Sequence, residues 1–270
     1  MAEVTIAIPF YNAEAYFEMA ILSVLSQTFV DFTLLLIDDG STDSSLKIAQ
    51  KYLYDKRVKI VSDGRNINLG NRLNSIPAMT ETEFLARMDA DDIMHPQRIE
   101  KQLNILKNNT DIDVLGTNAY SIDENNDVVG QRMSVADNSI VSVTTFTHPT
   151  IIAKTKWFKE NPYDVLALRV EDTELWLRTS DKYTFKATLE PLLFYREIGD
   201  KYYEKYFKGL PGIFYILRKH KFSLKYLMFS LKYFVASIVY FVFNMIGLEH
   251  ILIQNRNKVK LEKKNYSFFI

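Results

Sequence analysis

"VTIAIPFYNAEAYFEMAILSVLSQTFVDFTLLLIDDGSTD", residues 4–43, holds two apolar runs with a helix-spaced segment between them. "VTIAI" (4–8) reads as a strand, 13–26 as a helix and "FTLLLI" (32–37) as a buried strand. The alternation continues with a helix over 42–54, a strand at "VKIV" (58–61) and another at "EFLARM" (83–88). Strands separated by helical crossovers predict a parallel α/β sheet, whose functional groups gather at the carboxyl ends of its strands. Three polar clusters fall there: "PFYN" (9–12), "DDGSTD" (38–43) and "DADD" (89–92). Ser41 and Thr42 are expected to cap the next helix. One cap needs one acceptor, so capping does not account for Asp38 and Asp39 together.

Past "DVLGT" (113–117) the alternation weakens. "YSIDENNDVVGQ" (120–131) reads as a hairpin turning at Asn125 and Asn126, and "THPTIIAKTKWF" (147–158) as a further strand. Residues 1–205 read as one domain, with 206–270 as a C-terminal helical extension rich in Lys, Tyr and Phe.

The chain has 270 residues, 47% of them apolar, and its 33 basic and 33 acidic side chains balance. Bulk charge therefore gives no reason to expect a nucleic-acid partner. From Lys201 onward thirteen Lys and Arg stand against three Asp and Glu, a net +10, which leaves −10 on residues 1–200. There is no cysteine, so disulfide and thiolate chemistry are excluded. "MAEVTIAIPFYN" lacks a charged stretch followed by a long apolar core, so no cleaved signal is expected and the catalytic part is assigned to the cytoplasm.

Within the extension, "YFVASIVYFVFNMIGL" (233–248) is uncharged. As a helix it spans about 24 Å, short of the roughly 20 residues that cross a bilayer core. Ser223, Ser230, Ser237 and Asn244 recur every seven residues as a polar line, with Lys225 and Lys232 roughly opposite. The expectation is peripheral attachment to the inner face of the cell membrane, helped by the basic charge; an ordinary buried helical pair is the competing reading.

"DADD" sets Asp89, Asp91 and Asp92 within four positions. On a strand Asp89 and Asp91 would face one way, with Asp92 facing away or opening the next helix. Two carboxylates about 5 Å apart repel by roughly 3 kcal/mol at an effective dielectric near 20, which a divalent cation relieves. Oxygen-only ligands favour Mg²⁺ or Mn²⁺. A calcium loop is excluded, because "DADDIM" lacks the third ligand and the glycine.

"IPFYN", "IDDGSTD", "ARMDADDIMHPQRIEKQ" (86–102) and "VEDTELWLR" (170–178) occur in the order and spacing of the family 2 glycosyltransferases. The chain resembles that family over about residues 3–196. The resemblance implies a GT-A fold, an α/β Rossmann-like mixed sheet flanked by helices. It also implies an inverting, metal-dependent transfer of one sugar from a nucleotide-sugar, a UDP-sugar first, to a saccharide or lipid-linked saccharide in cell-surface polysaccharide synthesis. By position, Pro9 and Tyr11 match the loop lining the nucleobase pocket, Asp39 the acceptor for uracil N3–H, and Asp89 the acid near the ribose. Asp91 matches the ligand of a divalent metal, Mn²⁺ or Mg²⁺, and Asp172 the general base, with Glu171 beside it. "NINLGNRLN" (66–74) departs from the family's Asn-x-Gly segment: either Asn68 takes the glycine's place or the loop is shorter. His148 is either a further ligand of metal or diphosphate or a structural residue.

Two rivals remain. A nucleotidyltransferase would show a Gly-rich, basic loop after the first strand, which "PFYNAEAY" is not. A catalytically silent sugar- or nucleotide-binding subunit would have no use for both Asp91 and Asp172.

Overall fold

The computed structural model describes residues 2–133, 139–197, 201–221 and 223–265. The first half is built of β1 (Val4–Phe10), α1 (Phe17–Leu25), β2 (Phe32–Asp38), α2 (Ser45–Gln50), β3 (Val58–Ser62), α3 (Leu69–Ser75), β4 (Phe84–Arg87), β5 (Ile93–Met94) and α4 (Arg98–Asn108). There follow β6 (Val114–Ile122), β7 (Asp127–Gln131), β8 (Ile140–Ser142), β9 (Ile152–Lys154), α5 (Thr155–Glu160), α6 (Glu171–Thr179) and β10 (Phe185–Arg196). The C-terminal part is α7 (Tyr202–Lys219), α8 (Leu224–Met245), α9 (Glu249–Gln254) and β11 (Val259–Asn265).

One mixed sheet runs β11-β7-β6-β9-β4-β1-β2-β3, with β10 joined to β5, β6 and β8. β1 is parallel to both β2 and β4, and β2 to β3. The chain thus winds outward from β1 through β2 to β3, then returns to β1's other edge as β4. The order of winding reverses between β1 and β4, so a crevice opens beyond their carboxyl ends. The loops "PFYN" and "DADD" are the two that border it.

Alternation along the strands feeds two cores. Ile6, Ile8, Leu34 and Leu36 pack with Phe17, Ile21, Ile99 and Leu103 on one face. Ala7, Leu35, Ile37 and Leu85 pack with Leu73, Trp157 and Trp176 on the other. A sheet covered on both faces requires the near-continuous apolar runs seen in β1 and β2.

The expected strands and helices of residues 4–88 are present with shifted ends. α1 begins at Phe17 rather than 13, because residues 12–14 are clasped to the next loop. Asn12 N–H donates to Ser41 Oγ (3.2 Å), Thr42 N–H to Asn12 Oδ1 (2.8 Å) and Glu14 N–H to Asp43 Oδ2 (3.1 Å). Ser41 and Thr42 therefore lock two loops together instead of capping α2. The hairpin turn at Asn125 and Asn126 is present, with Asn126 at φ 69°. The strand expected over 147–158 shrinks to β9, between a 3₁₀ turn at His148–Thr150 and α5.

The tail is tied to the body at several points. Glu249 on α9 accepts from the backbone N–H of Lys201 (2.8 Å) and Tyr203 (3.1 Å), satisfying orphan donors at the start of α7. Arg256 pairs with the buried Glu197 (3.1 Å), and β11 adds antiparallel to β7. α7 and α8 pack on the loop before α6 through Ala167, Val170, Ile213, Ile216 and Tyr226. The expected boundary between residues 205 and 206 falls inside α7, and beyond the helices the tail contributes this edge strand.

α8 buries Ser230 and Ser237 and turns Leu231 (62% exposed), Ile238 (61%) and Met245 (71%) outward. The heptad polar line thus faces the protein, and apolar side chains face out. At 22 residues α8 is long and apolar enough to cross a membrane by length and composition.

Candidate active site

Sequence-adjacent Asp38 and Asp39 divide their work. Asp38 Oδ1 accepts from Ser41 N–H (2.9 Å) and Oδ2 from Ser62 Oγ–H (2.8 Å), so this carboxylate shapes the turn after β2. Gly40, at φ 77°, completes the turn where loop 65–66 comes closest. A Cβ there would lie 2.8 Å from the carbonyl carbon of Arg65. Asp39 points the other way. Its Oδ1 accepts from Arg72 Nε (2.7 Å) and Ile67 N–H (2.9 Å), and Oδ2 makes no hydrogen bond among the described residues. It lines a cleft of about 390 Å³ together with Pro9, Tyr11, Asn68, Leu69 and Arg72. Four expected site residues, Pro9, Tyr11, Asp39 and Asn68, thus share one cavity, with the Tyr11 ring half exposed on its rim.

Arg72 is buried and was not singled out by sequence. Besides Asp39 it pairs with Asp63 (2.6 Å) and donates to the Arg65 carbonyl. Its hydrogen bonds hold the Asp63 carboxyl well below the usual range. Asn68 sits at φ 72°, ψ 155°, a conformation that glycine adopts far more readily. Asn74 is turned away from this cleft. It brackets the backbone of Tyr163 through two hydrogen bonds, 2.9 and 2.8 Å, tying α3 to the loop before α6.

At the end of β4 the chain leaves strand geometry, so "DADD" is a turn and the expected alternation fails. Asp92 does not face away. Asp89, Asp91 and Asp92 each bring a carboxylate oxygen within 4.8 Å of the others. Asp92 Oδ1 accepts from Arg196 N–H (2.8 Å), while its buried Oδ2 has no hydrogen-bond partner among the described residues. Burial, then Asp91 and Asp89, raise the Asp92 carboxyl well above the usual range. The protein around it and then Asp89 push Asp91 up to about 6, although Asp91 keeps contact with solvent. Three crowded oxygens, one buried and unpartnered, form a hard donor set that fits Mg²⁺ or Mn²⁺.

Arg87, the last residue of β4, is the cation beneath this cluster. It is 4% exposed and donates from Nη2 to Asp89 Oδ1 at 2.7 Å, while its Nε and Nη1 are buried with no hydrogen-bond partner among the described residues. Burial pulls its pKa down, but Asp89, Tyr163 and Asp172 outweigh that and raise it. Asp172 therefore lies within electrostatic reach of Arg87, and Asp89 acts on it too.

Asp172 and Glu171 open α6. Asp172 Oδ1 accepts from Thr173 N–H at 2.6 Å. Burial raises its carboxyl, partly offset by that bond and by Arg87. Glu171 is raised by burial and then by Asp172. It lines a second cleft of about 550 Å³ with Asn68, Leu69, Leu168, Arg169 and Lys208. Asn68 and Leu69 border both clefts, which makes them one crevice. His148 bonds Tyr163 Oη through Nε2 (2.7 Å) and packs edge-on against Trp176. Burial, then Arg87, lower its pKa well below the ordinary value. It is not part of the acidic cluster.

The family model of Glycosyl transferase family 2 matches residues 5–174. An uncharacterized glycosyltransferase of Methanocaldococcus jannaschii is 29% identical over 228 residues, covering 80% of this chain and 79% of its own. The O-antigen biosynthesis glycosyltransferase WbnJ of Escherichia coli is 28% identical over 186 residues, 65% of this chain and 70% of its own. The crystal structure of S. aureus TarS 1–349 in complex with UDP superposes with a TM-score of 0.61 at 21% identity, over 79% of this chain. A second crystal structure of that fragment is a complex with UDP-GlcNAc. This chain spans 65% of the TarS fragment's length.

Proposed function

Because this chain belongs to glycosyl transferase family 2 and has the GT-A fold, we propose that it is an inverting, metal-dependent glycosyltransferase. It moves one sugar from a UDP-sugar to a saccharide or lipid-linked saccharide in cell-surface polysaccharide synthesis. The O-antigen relative and the UDP-bound TarS complexes support the choice of pathway and donor. The observation that carries the reading is one crevice. Pro9, Tyr11 and Asp39 line its first part and Glu171 its second, and Arg87 links the acidic turn to Asp172, by an ion pair to Asp89 and by charge to Asp172.

In this reading Tyr11 and Pro9 flank the nucleobase, and the open Oδ2 of Asp39 accepts from an imide N–H such as that of uracil. Asp89 lies nearer the ribose. Asp91, with Asp92 at its side, would hold Mn²⁺ or Mg²⁺. A cation bound there offsets charge on a departing diphosphate, worth several kcal/mol in the transition state. Asp172, ionised and held by Thr173 N–H, takes the proton from an acceptor hydroxyl. That oxygen attacks the anomeric carbon from the face opposite the diphosphate, the C1–O bond to phosphate breaks, and the configuration inverts. α8 supports peripheral attachment at the cytoplasmic face of the membrane, because its outward side is apolar and the tail around it carries the excess of Lys and Arg.

Calorimetric titration with UDP and GDP, each with and without Mn²⁺, tests the donor half of this reading. UDP is expected to bind tightly only with metal. No nucleotide binding under any condition would reject the transferase assignment in favour of a silent subunit.

A further inference from the structure

Asn68 is held in a backbone conformation, φ 72° and ψ 155°, that glycine adopts freely and that strains any other residue. The chain on either side gives it no relief, because it is fixed at three points. Ile67 N–H donates to Asp39 Oδ1 (2.9 Å), and Asn71 Nδ2 donates to the Ile67 carbonyl (2.7 Å). Arg72 N–H donates to the carbonyl of Asn68 itself (3.1 Å). Arg72 is in turn buried and paired with Asp39 and Asp63.

The Asn68 side chain does nothing within the protein that offsets this strain. It does not cap α3, and it makes no hydrogen bond among the described residues. It is exposed, and it lines both the cleft at Asp39 and the cleft beside Glu171. Asn66 lines only the first of the two. Strain of this kind gathers at ligand sites and persists where the surrounding structure fixes it.

In a nucleotide seated with its base against Asp39, the group that leads out of the first cleft is the ribose. Asn68 stands at that junction with an amide that donates and an oxygen that accepts, which suits a hydroxyl that does both. We propose that Asn68 is a specificity-determining residue for the nucleotide, its carboxamide bonding the ribose 2′-hydroxyl, so that the site selects a ribonucleotide-sugar over a deoxyribonucleotide-sugar. Asp39 does not make this choice, because uracil and thymine present the same imide edge to it. A group placed to hydrogen-bond a ligand hydroxyl discriminates against the analogue that lacks it. This inference rests on reading the crevice as a sugar-transfer site that takes its nucleotide at Asp39.

The test is calorimetric titration of UDP and 2′-deoxy-UDP, each with Mn²⁺, into wild type, Asn68→Gly and Asn68→Ala, beside thermal melts of all three without ligand. Wild type is expected to bind UDP about fivefold more tightly than 2′-deoxy-UDP, the worth of one net hydrogen bond. Asn68→Gly should bind UDP as weakly as 2′-deoxy-UDP, leave 2′-deoxy-UDP affinity within about twofold of wild type, and melt at a higher temperature. Asn68→Ala keeps the strain and loses the carboxamide. It should lose the preference with no gain in melting temperature, which separates the missing amide from a loop loosened by glycine. A preference that survives in both variants would assign the 2′-hydroxyl to another residue, Asp89 first, and overturn the proposal. A lower melting temperature in Asn68→Gly would show that the side chain serves the fold and would overturn it too. UDP binding to wild type without ribose discrimination would reject this inference alone, whereas binding of neither nucleotide would reject the sugar-transfer reading and the inference with it.

Discussion

Arg72 Nε meets Asp39 Oδ1 at 2.7 Å, and both side chains are more than nine-tenths buried. The pair sets which oxygen of Asp39 is left for a ligand. Removing one partner of a buried pair typically costs about 3–5 kcal/mol, because a charge is left uncompensated. Arg72→Ala should therefore lower thermal stability strongly as well as nucleotide affinity. Asp39→Asn keeps an oxygen for Arg72 but offers an amide N–H to the ligand. It should cost less stability than Arg72→Ala, because Asp63 still compensates Arg72, and weaken UDP binding by calorimetry. Equal UDP affinity in Asp39→Asn would remove Asp39 from the base pocket.

Asp172→Asn should slow transfer by about 10²–10⁴-fold, the usual worth of a positioned base, with UDP affinity preserved. The base must be ionised, and burial raises its pKa, so activity is lost as pH falls through a value above the ordinary aspartate range near 3.9. A kcat/KM profile with its acid limb at the unperturbed position would speak against Asp172.

Arg87 gives a prediction with two signs. Its charge lowers the Asp172 carboxyl and competes for Asp89. In Arg87→Met the carboxylate cluster loses a neighbouring cation. The Mn²⁺ concentration for half-maximal activity should fall several-fold, while the acid limb of kcat/KM moves to higher pH. Titration of activity with Mn²⁺ at two pH values reads both. A rise in the Mn²⁺ requirement would show that Arg87 serves mainly to hold Asp89 in place.

Residues at strand ends were legible because parallel α/β order carries the ends of β1, β2 and β4 to the same edge of the sheet. Pro9, Tyr11 and Asp39 follow from β1 and β2, and Asp89 and Asp91 from β4. What was not legible depends on partners distant in sequence. Asp92 joins its neighbours because Arg196 N–H, 104 residues on, holds its Oδ1 in a turn. Arg72 matters through Asp39 and Asp63. Arg87 did leave a signal, since a cation closing the buried strand "FLAR" needs an acid nearby.

The tail carries the last prediction. Deleting it would confound attachment with folding, since Glu249 caps α7, Arg256 pairs with Glu197 and β11 extends the sheet. The outward face of α8 can be altered alone. Leu231, Ile238 and Met245 are 62%, 61% and 71% exposed, so changing all three to Gln removes little packing within the protein. Substitutions at such sites usually shift stability by about 0.5 kcal/mol or less. Each side chain entering lipid gains up to about 1.5–3 kcal/mol, so losing three should weaken attachment by orders of magnitude. In flotation with vesicles containing anionic lipid, wild type should rise with the vesicles and the triple variant should stay below. Wild-type binding should weaken in high salt, because the tail's Lys and Arg are then screened. If wild type and triple variant float alike, α8 does not face lipid, and attachment must be sought elsewhere on the basic tail.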